Sequence, residues 1–121
     1  MNKSVIIVFI IASLLLLGGG IVLATRSTAP VITGLDDFAK CLTSKNVVMY
    51  GAAWCSHCQR EKKAFGDSFK YVSYFECPAD PQKCLDKGVE SYPTWILDDG
   101  TKLVGEQGIK KLSEATGCGL P

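Results

Sequence analysis

Trp54-Cys55-Ser56-His57-Cys58 constrains this chain more than any other stretch. The two thiols follow Val47-Val48-Met49-Tyr50, an apolar run that reads as a short buried strand. They precede Gln59-Arg60-Glu61-Lys62-Lys63-Ala64-Phe65, a run of good helix formers. Cysteines at such a junction have a predicted placement. Cys55 opens the helix, where unpaired backbone N–H groups and the positive end of the macrodipole favour an anion. That setting lowers a thiol pKa and makes Cys55 the nucleophile. Cys58, one turn on, attacks the mixed disulfide that Cys55 forms and releases the partner. His57, the only histidine, sits between the sulfurs. An imidazolium there stabilises the Cys55 thiolate and makes the disulfide more oxidising.

A C-x-x-C pair also serves as half a zinc site or as an inert pair. Cys55, Cys58, Cys77 and Cys84 read C-x2-C-x18-C-x6-C. The middle gap suits a zinc ribbon, but the last spacing is too long for a typical knuckle. The strand–motif–helix context opposes metal as well, so no metal or other cofactor is expected: the sulfur pair itself carries two electrons. Covalent haem attachment requires a His after the second Cys, where this chain has Gln59.

Val5 to Ala24, VIIVFIIASLLLLGGGIVLA, contains no charge. It is long enough to cross the ~30 Å hydrocarbon core as a helix. Lys3 and Arg26 flank it, so the charge bias is weak. The short tail before it is easiest to leave in the cytoplasm, with the remainder exported. A cleaved signal peptide is the competing reading, since Val22-Leu23-Ala24 ends in small residues. The run exceeds a usual signal-peptide core of roughly 7–15 residues, which favours an uncleaved anchor. Residues 1–25 are thus read as a transmembrane signal anchor, 26–33 as a linker and 34–121 as one domain. Of the 13 Lys and Arg residues only Lys3 and Arg26 precede that domain, whereas all 12 Asp and Glu residues lie within it. The domain is close to neutral and carries no basic stripe for nucleic acid. All six cysteines also lie after the apolar run, a usage that suits an oxidising, extracytoplasmic compartment.

Within the domain the spacing predicts a helix over Leu35–Leu42, with Asp36 and Asp37 in its first turn. A strand is expected over Val47–Tyr50, then a helix over Cys55–Phe69 weakened at Gly66. A second strand over Tyr71–Glu76 and a short helix or irregular turn over Asp80–Lys87 follow. Thr94–Leu97 and Lys102–Val104 flank Asp99-Gly100, a hairpin signal. A last helix over Ile109–Thr116 stops at Gly117. This order predicts an α/β fold around a mixed four-stranded sheet.

These residues resemble a thioredoxin-fold domain over essentially all of Leu35–Gly117. More narrowly, Tyr50 to Gln59, the Cys77/Cys84 pair and Ser91-Tyr92-Pro93-Thr94-Trp95 resemble the thioredoxin-like domain that accompanies bacterial vitamin K epoxide reductase homologues. In that family the domain passes electrons between secreted proteins and a quinone-linked membrane reductase. The resemblance therefore implies such a membrane partner and exported protein substrates. It makes Pro93 the proline that faces the dithiol, usually after a cis bond, with Tyr92 and Thr94 flanking the substrate chain as it adds along this turn. Trp54 shields one side of the dithiol. One departure stands out. Thioredoxins proper place a buried acid in the strand before the motif, where it moves the proton of the resolving thiol; the matching residue here is Met49. Glu61 is an acid nearby in sequence, but one to two turns along the helix it can point to solvent.

Cys77 and Cys84 enclose a proline-rich loop, and a bridge between them would pin it, adding about 2–3 kcal/mol by chain entropy. A second redox relay exchanging with Cys55/Cys58 is the other reading. Cys41 and Cys118 lie on the first and last helices. They can pair unless those helices pack on opposite faces of the sheet, beyond a Cα separation of ~7 Å; free thiols or an intermolecular bridge are the alternatives. The expectation is a membrane-anchored, extracytoplasmic thiol–disulfide oxidoreductase that oxidises exported proteins. A reductase or isomerase of the same fold is the near alternative. The rival from another class is a redox-inert or zinc-stabilised binding module.

Overall fold

The computed structural model describes residues 34–121. The apolar run 5–24 and the linker 26–33 lie outside the described residues. Among the described residues no helix is long and apolar enough to cross a membrane.

Helix α1 (Leu35–Ser44) buries Leu35, Phe38, Ala39 and Leu42, the i, i+3, i+4, i+7 stripe of an amphipathic helix. It runs one half-turn past Leu42, and the Lys45 N–H closes it on the carbonyls of Cys41 and Leu42. Strand β1 (Val48–Gly51) follows, then helix α2 (Ser56–Phe65). The α-helix does not reach Phe69 as expected. At Gly66 the backbone turns to φ 55°, and the chain tightens into a 3-10 segment, Gly66–Tyr71. That segment takes Tyr71, so strand β2 covers only Ser73–Glu76. A 3-10 turn, Cys77–Ala79, leads into helix α3 (Pro81–Asp86). Pro81 sits at the first helical position and the Asp80 carboxylate caps the Lys83 N–H at 3.2 Å. Strands β3 (Thr94–Ile96) and β4 (Lys102–Val104) form the hairpin around Asp99-Gly100. Helix α4 (Gly108–Thr116) ends on Gly117 in the left-handed conformation, whose N–H bonds the Ser113 carbonyl.

The sheet order is β2-β1-β3-β4, with β1 and β2 parallel and the other pairs antiparallel. Met49 pairs with Tyr74 on one side and Trp95 on the other, and Gly51 pairs with Glu76. Alternation then divides the side chains. Met49 and Trp95 join Phe38, Leu42, Phe65 and Leu112 in the main core beneath α1, α2 and α4. Tyr50, Phe75 and Ile96 face the other way and pack with Val89 and the Cys77/Cys84 pair. Helices α1 and α4 therefore share one face, which brings Cys41 and Cys118 into a disulfide with Cα atoms 5.9 Å apart. Lys45 Nζ reinforces the junction by donating to the Thr116 carbonyl at 2.6 Å. The two ends of the described chain meet beside it: a β-carbon on Gly34 would stand 3.0 Å from that of Pro121.

Candidate active site

Cys55 is the N-cap of α2, with extended backbone, φ −77° and ψ 117°. Its sulfur accepts the Cys58 N–H at 3.3 Å, taking the place a Ser or Asp oxygen fills at other helix starts. The same sulfur stands 3.6 Å from the Tyr92 carbonyl oxygen, as an S–H donor to it. Tyr92-Pro93 is a cis peptide bond. The turn that carries it is fixed on both sides: Thr94 Oγ1 donates to the Ser91 carbonyl at 2.7 Å, and the Gly105 N–H donates to the Pro93 carbonyl at 2.7 Å. Thr94 itself is buried at the start of β3. The structure thus brings Cys55, Tyr92, Pro93 and Thr94 together at one end of the sheet.

Both active thiols are free, and they differ in their surroundings. Cys55 borders an open groove of about 510 Å³ walled by Trp54, Ser56, His57, Glu90, Ser91 and Tyr92. Trp54 is 72% exposed and meets the Tyr92 ring edge-on, with centroids 6.1 Å apart. It stands as an apolar wall of the groove rather than as part of the core. Cys58 has no exposed surface. Burial, then its hydrogen bond with Cys55, push its thiol up to about 12. The outer sulfur is therefore placed for exchange and the inner one is held back as a thiol.

His57 is only partly where the sequence reading put it. Its Nδ1 stands 2.7 Å from Glu106 Oε2 and 2.7 Å from Arg60 Nη2. Arg60 also forks onto the Glu106 carboxylate through Nε and Nη2, at 3.1 and 2.8 Å. Arg60, then His57, hold the Glu106 carboxyl below the usual carboxylate range, and Glu106 in turn raises the Arg60 guanidinium. An ionised Cys55 also attracts Arg60. The charge beside Cys55 is therefore a His–Arg–Glu cluster, in which the Glu106 carboxylate is set against His57 and Arg60. Neither Arg60 nor Glu106 was singled out from sequence; Glu106 lies in the loop after β4, and only the fold carries it to α2.

Glu61 does not face solvent. It is 2% exposed, and its Oε1 accepts the Trp95 indole N–H at 3.0 Å. The Gln107 and Gly108 N–H groups donate to the same carboxylate at 3.3 and 3.1 Å. Helix α4 turns its positive N-terminus toward this acid, the arrangement the helix dipole favours. The Cys77–Cys84 disulfide, with Cα atoms 5.7 Å apart, lies in the second cluster beneath Tyr50. Sulfurs bonded to each other are not thiolate ligands, so the four-cysteine zinc arrangement lacks two of its members.

No protein-family profile matches the chain. The Arabidopsis thaliana protein named thiol-disulfide oxidoreductase LTO1 is 42% identical over 105 residues, covering 79% of this chain and 27% of that protein. A Drosophila melanogaster thioredoxin domain-containing protein 5 homolog is 36% identical over 88 residues, covering 64% of this chain and 21% of that protein. The chain thus matches about a quarter of the length of these curated relatives. Oxidised mitochondrial thioredoxin 3 from Saccharomyces cerevisiae superposes with a TM-score of 0.50 at 18% identity, covering 69% of this chain and 88% of that one. That likeness is one of fold.

Proposed function

We infer, from the thioredoxin fold that residues 34–121 adopt, that this chain is a protein thiol–disulfide oxidoreductase working through Cys55 and Cys58. One observation carries the reading. The Cys55 sulfur sits at a helix start, takes the Cys58 N–H, and borders an open groove beside the turn that precedes Pro93. The sequence similarity to a protein named thiol-disulfide oxidoreductase supports it.

The chemistry follows from that placement. In the oxidising direction a substrate thiolate attacks Cys55 Sγ of the Cys55–Cys58 disulfide. The substrate–Cys55 bond forms, the Cys55–Cys58 bond breaks, and Cys58 leaves with the electron pair. A second substrate thiolate then attacks the substrate sulfur, forming the substrate disulfide and releasing Cys55 as a thiolate. Cys58 stays in the interior, so Cys55 alone meets the partner. Trp54 and Tyr92 offer apolar contact, and the Tyr92 carbonyl borders the sulfur where an extended substrate chain would add, while Pro93 and Thr94 lie buried behind it.

Oxidation of exported proteins is the preferred direction, with re-oxidation by a quinone-linked membrane reductase of the vitamin K epoxide reductase type. The apolar run Val5–Ala24 would anchor the domain on the extracytoplasmic side of the membrane. Cys41–Cys118 and Cys77–Cys84, both bonded, suit that compartment. Cys55→Ala is expected to abolish thiol oxidation and insulin reduction, and Cys58→Ala to accumulate mixed disulfides with partners. Unchanged activity in both variants would assign the chain to the non-catalytic binding modules. The reduction potential against glutathione decides between oxidase and reductase, since about 30 mV corresponds to ~1.4 kcal/mol for this two-electron couple.

A further inference from the structure

Every cycle between dithiol and disulfide moves a proton to or from Cys58, and that sulfur has no path of its own to water. Met49, which shares its core cluster, does not titrate. Gly51 reveals what does border the sulfur. A β-carbon on Gly51 would stand 2.9 Å from Cys58 Sγ, 3.3 Å from Tyr74 Cε2 and 3.5 Å from the Tyr74 hydroxyl. Sulfur and phenol therefore line one small gap that only a glycine leaves open.

The sheet register produces this arrangement. Tyr74 pairs with Met49 and Glu76 with Gly51, so both β2 side chains point to the face that carries α2. The Tyr74 hydroxyl donates a short hydrogen bond to Glu76 Oε2. The other oxygen, Oε1, accepts the Ala53 N–H at 2.8 Å, which ties the acid to the loop before Cys55. Lys62 of α2 holds its ammonium 3.6 Å from the Tyr74 ring centroid. The charged or titratable groups facing the phenol are thus Cys55, Cys58 and Lys62 from α2 and its cap, and Glu76 from β2. Burial and Glu76 keep the Tyr74 proton on its oxygen, whereas Tyr74 holds Glu76 as a carboxylate. Glu76 is only half-buried and can exchange protons with water.

We propose that Tyr74 and Glu76 form the proton path of Cys58, with the phenol beside the sulfur and the carboxylate as the link to solvent. This rests on the redox reading above. When Cys58 resolves a mixed disulfide, its S–H proton passes to the Tyr74 oxygen as the Tyr74 proton passes to Glu76. The Cys58 sulfur bonds Cys55 Sγ, the Cys55–partner bond breaks, and the partner leaves as a thiolate with the electron pair. Glu76 then releases its proton to water. When the domain oxidises a partner, the departing Cys58 thiolate takes a proton by the reverse route. Tyr74 is the phenol that shares the Gly51 gap with the reacting sulfur, and Glu76 is a positioning residue that acts through it. Glu61, the acid of α2 itself, is committed to the Trp95, Gln107 and Gly108 N–H groups, and Glu106 to His57 and Arg60.

The test uses the reduced protein and an aromatic disulfide reagent, 5,5′-dithiobis(2-nitrobenzoate). The first thionitrobenzoate released reports attack by Cys55, and the second reports resolution by Cys58. Tyr74→Phe and Glu76→Gln are expected to slow the second release relative to the first by roughly tenfold or more near neutral pH, within the range of general acid–base effects. The gap should narrow as pH rises toward the range in which the Cys58 thiol ionises unaided, and Glu76→Asp should recover part of the rate. Glu76→Gln, at a half-exposed position, carries the test should Tyr74→Phe fail to fold. A second release with the wild-type pH profile in Glu76→Gln overturns the proposal, as does a shift produced by Glu61→Gln instead. A wild-type protein that exchanges with no disulfide at all would sink the redox reading itself, a separate outcome.

Discussion

Glu61 accepts the indole N–H of Trp95 at 3.0 Å in the middle of the main core. The contact joins α2 to β3, and the Gln107 and Gly108 N–H groups bring α4 to the same carboxylate. Gln107 offers no side-chain cap of its own, so an acid from another helix caps α4.

Glu61→Ala is expected to destabilise the domain by about 3 kcal/mol or more, because it leaves buried N–H donors without an acceptor. Glu61→Gln should cost less, since its amide oxygen keeps one or two of those bonds. Urea unfolding followed through Trp95 fluorescence measures both; equal stability of the alanine variant and wild type would contradict the account.

Alkylation of the reduced domain should modify Cys55 and spare Cys58, which is fully buried and pushed up to about 12. Peptide mass mapping reads the result. The same shift sets a pH dependence. The unfolded chain gives up the Cys58 proton near the ordinary thiol value while the folded domain retains it. Stability of the reduced form therefore falls as pH rises from that value toward about 12. Cys58→Ser should lack this slope.

Arg60 and Glu106 should move the reduction potential in opposite directions. Arg60→Ala removes a cation that attracts the Cys55 thiolate, which favours the disulfide and lowers the potential. Glu106→Gln frees His57 and Arg60 from their counter-charge and should raise it. The cluster is exposed enough for salt to screen it, so shifts on the order of 10 mV are expected, shrinking at high ionic strength. Equilibration with glutathione buffers checks the signs.

Replacing both Cys41 and Cys118 by Ala should lower stability by roughly 4 kcal/mol, as expected for a long closed loop. The corresponding Cys77/Cys84 double variant closes a far shorter loop and should lose about 2–3 kcal/mol. Denaturant unfolding of the two variants compares them, and the reverse ranking would be inconsistent with loop entropy as the dominant effect.

Gly51→Ala places a β-carbon 2.9 Å from Cys58 Sγ and 3.3 Å from the Tyr74 ring. Such overpacking should cost about 1–3 kcal/mol and slow disulfide closure, because the sulfur has to move. A variant with wild-type stability and wild-type resolution would show that the gap is not confined.

Much of the fold was legible because local signals agreed with one another. Asp99-Gly100 marked the hairpin, Gly117 the end of α4, and the apolar run before Cys55 the central strand. Cys55 itself was legible as a helix start because a strand, a short turn and a helix follow one another around it. The errors fell where tertiary contacts decide. Gly66 ends α2 outright rather than weakening it, since left-handed backbone there leads into 3-10 turns. The side to which Glu61 points was open from its place on the helix, and only the packing of α4 and Trp95 shows it buried. Tyr74 and Glu76 lie on one side of an alternating strand, a pattern visible in advance. What the pattern could not supply was the parallel register that sets them against Gly51 and Cys58. Glu106 gave no local sign of its tie to His57.

Gly34 and Pro121 lie side by side, close enough that a β-carbon on Gly34 would crowd the proline ring, and the Cys41–Cys118 bond rivets the helices that lead to and from them. A domain whose ends meet behaves as a cassette: further polypeptide can be spliced to it at a single seam without threading past the dithiol. A force applied across Gly34 and Pro121 would meet the Cys41–Cys118 bond before it reached the sheet.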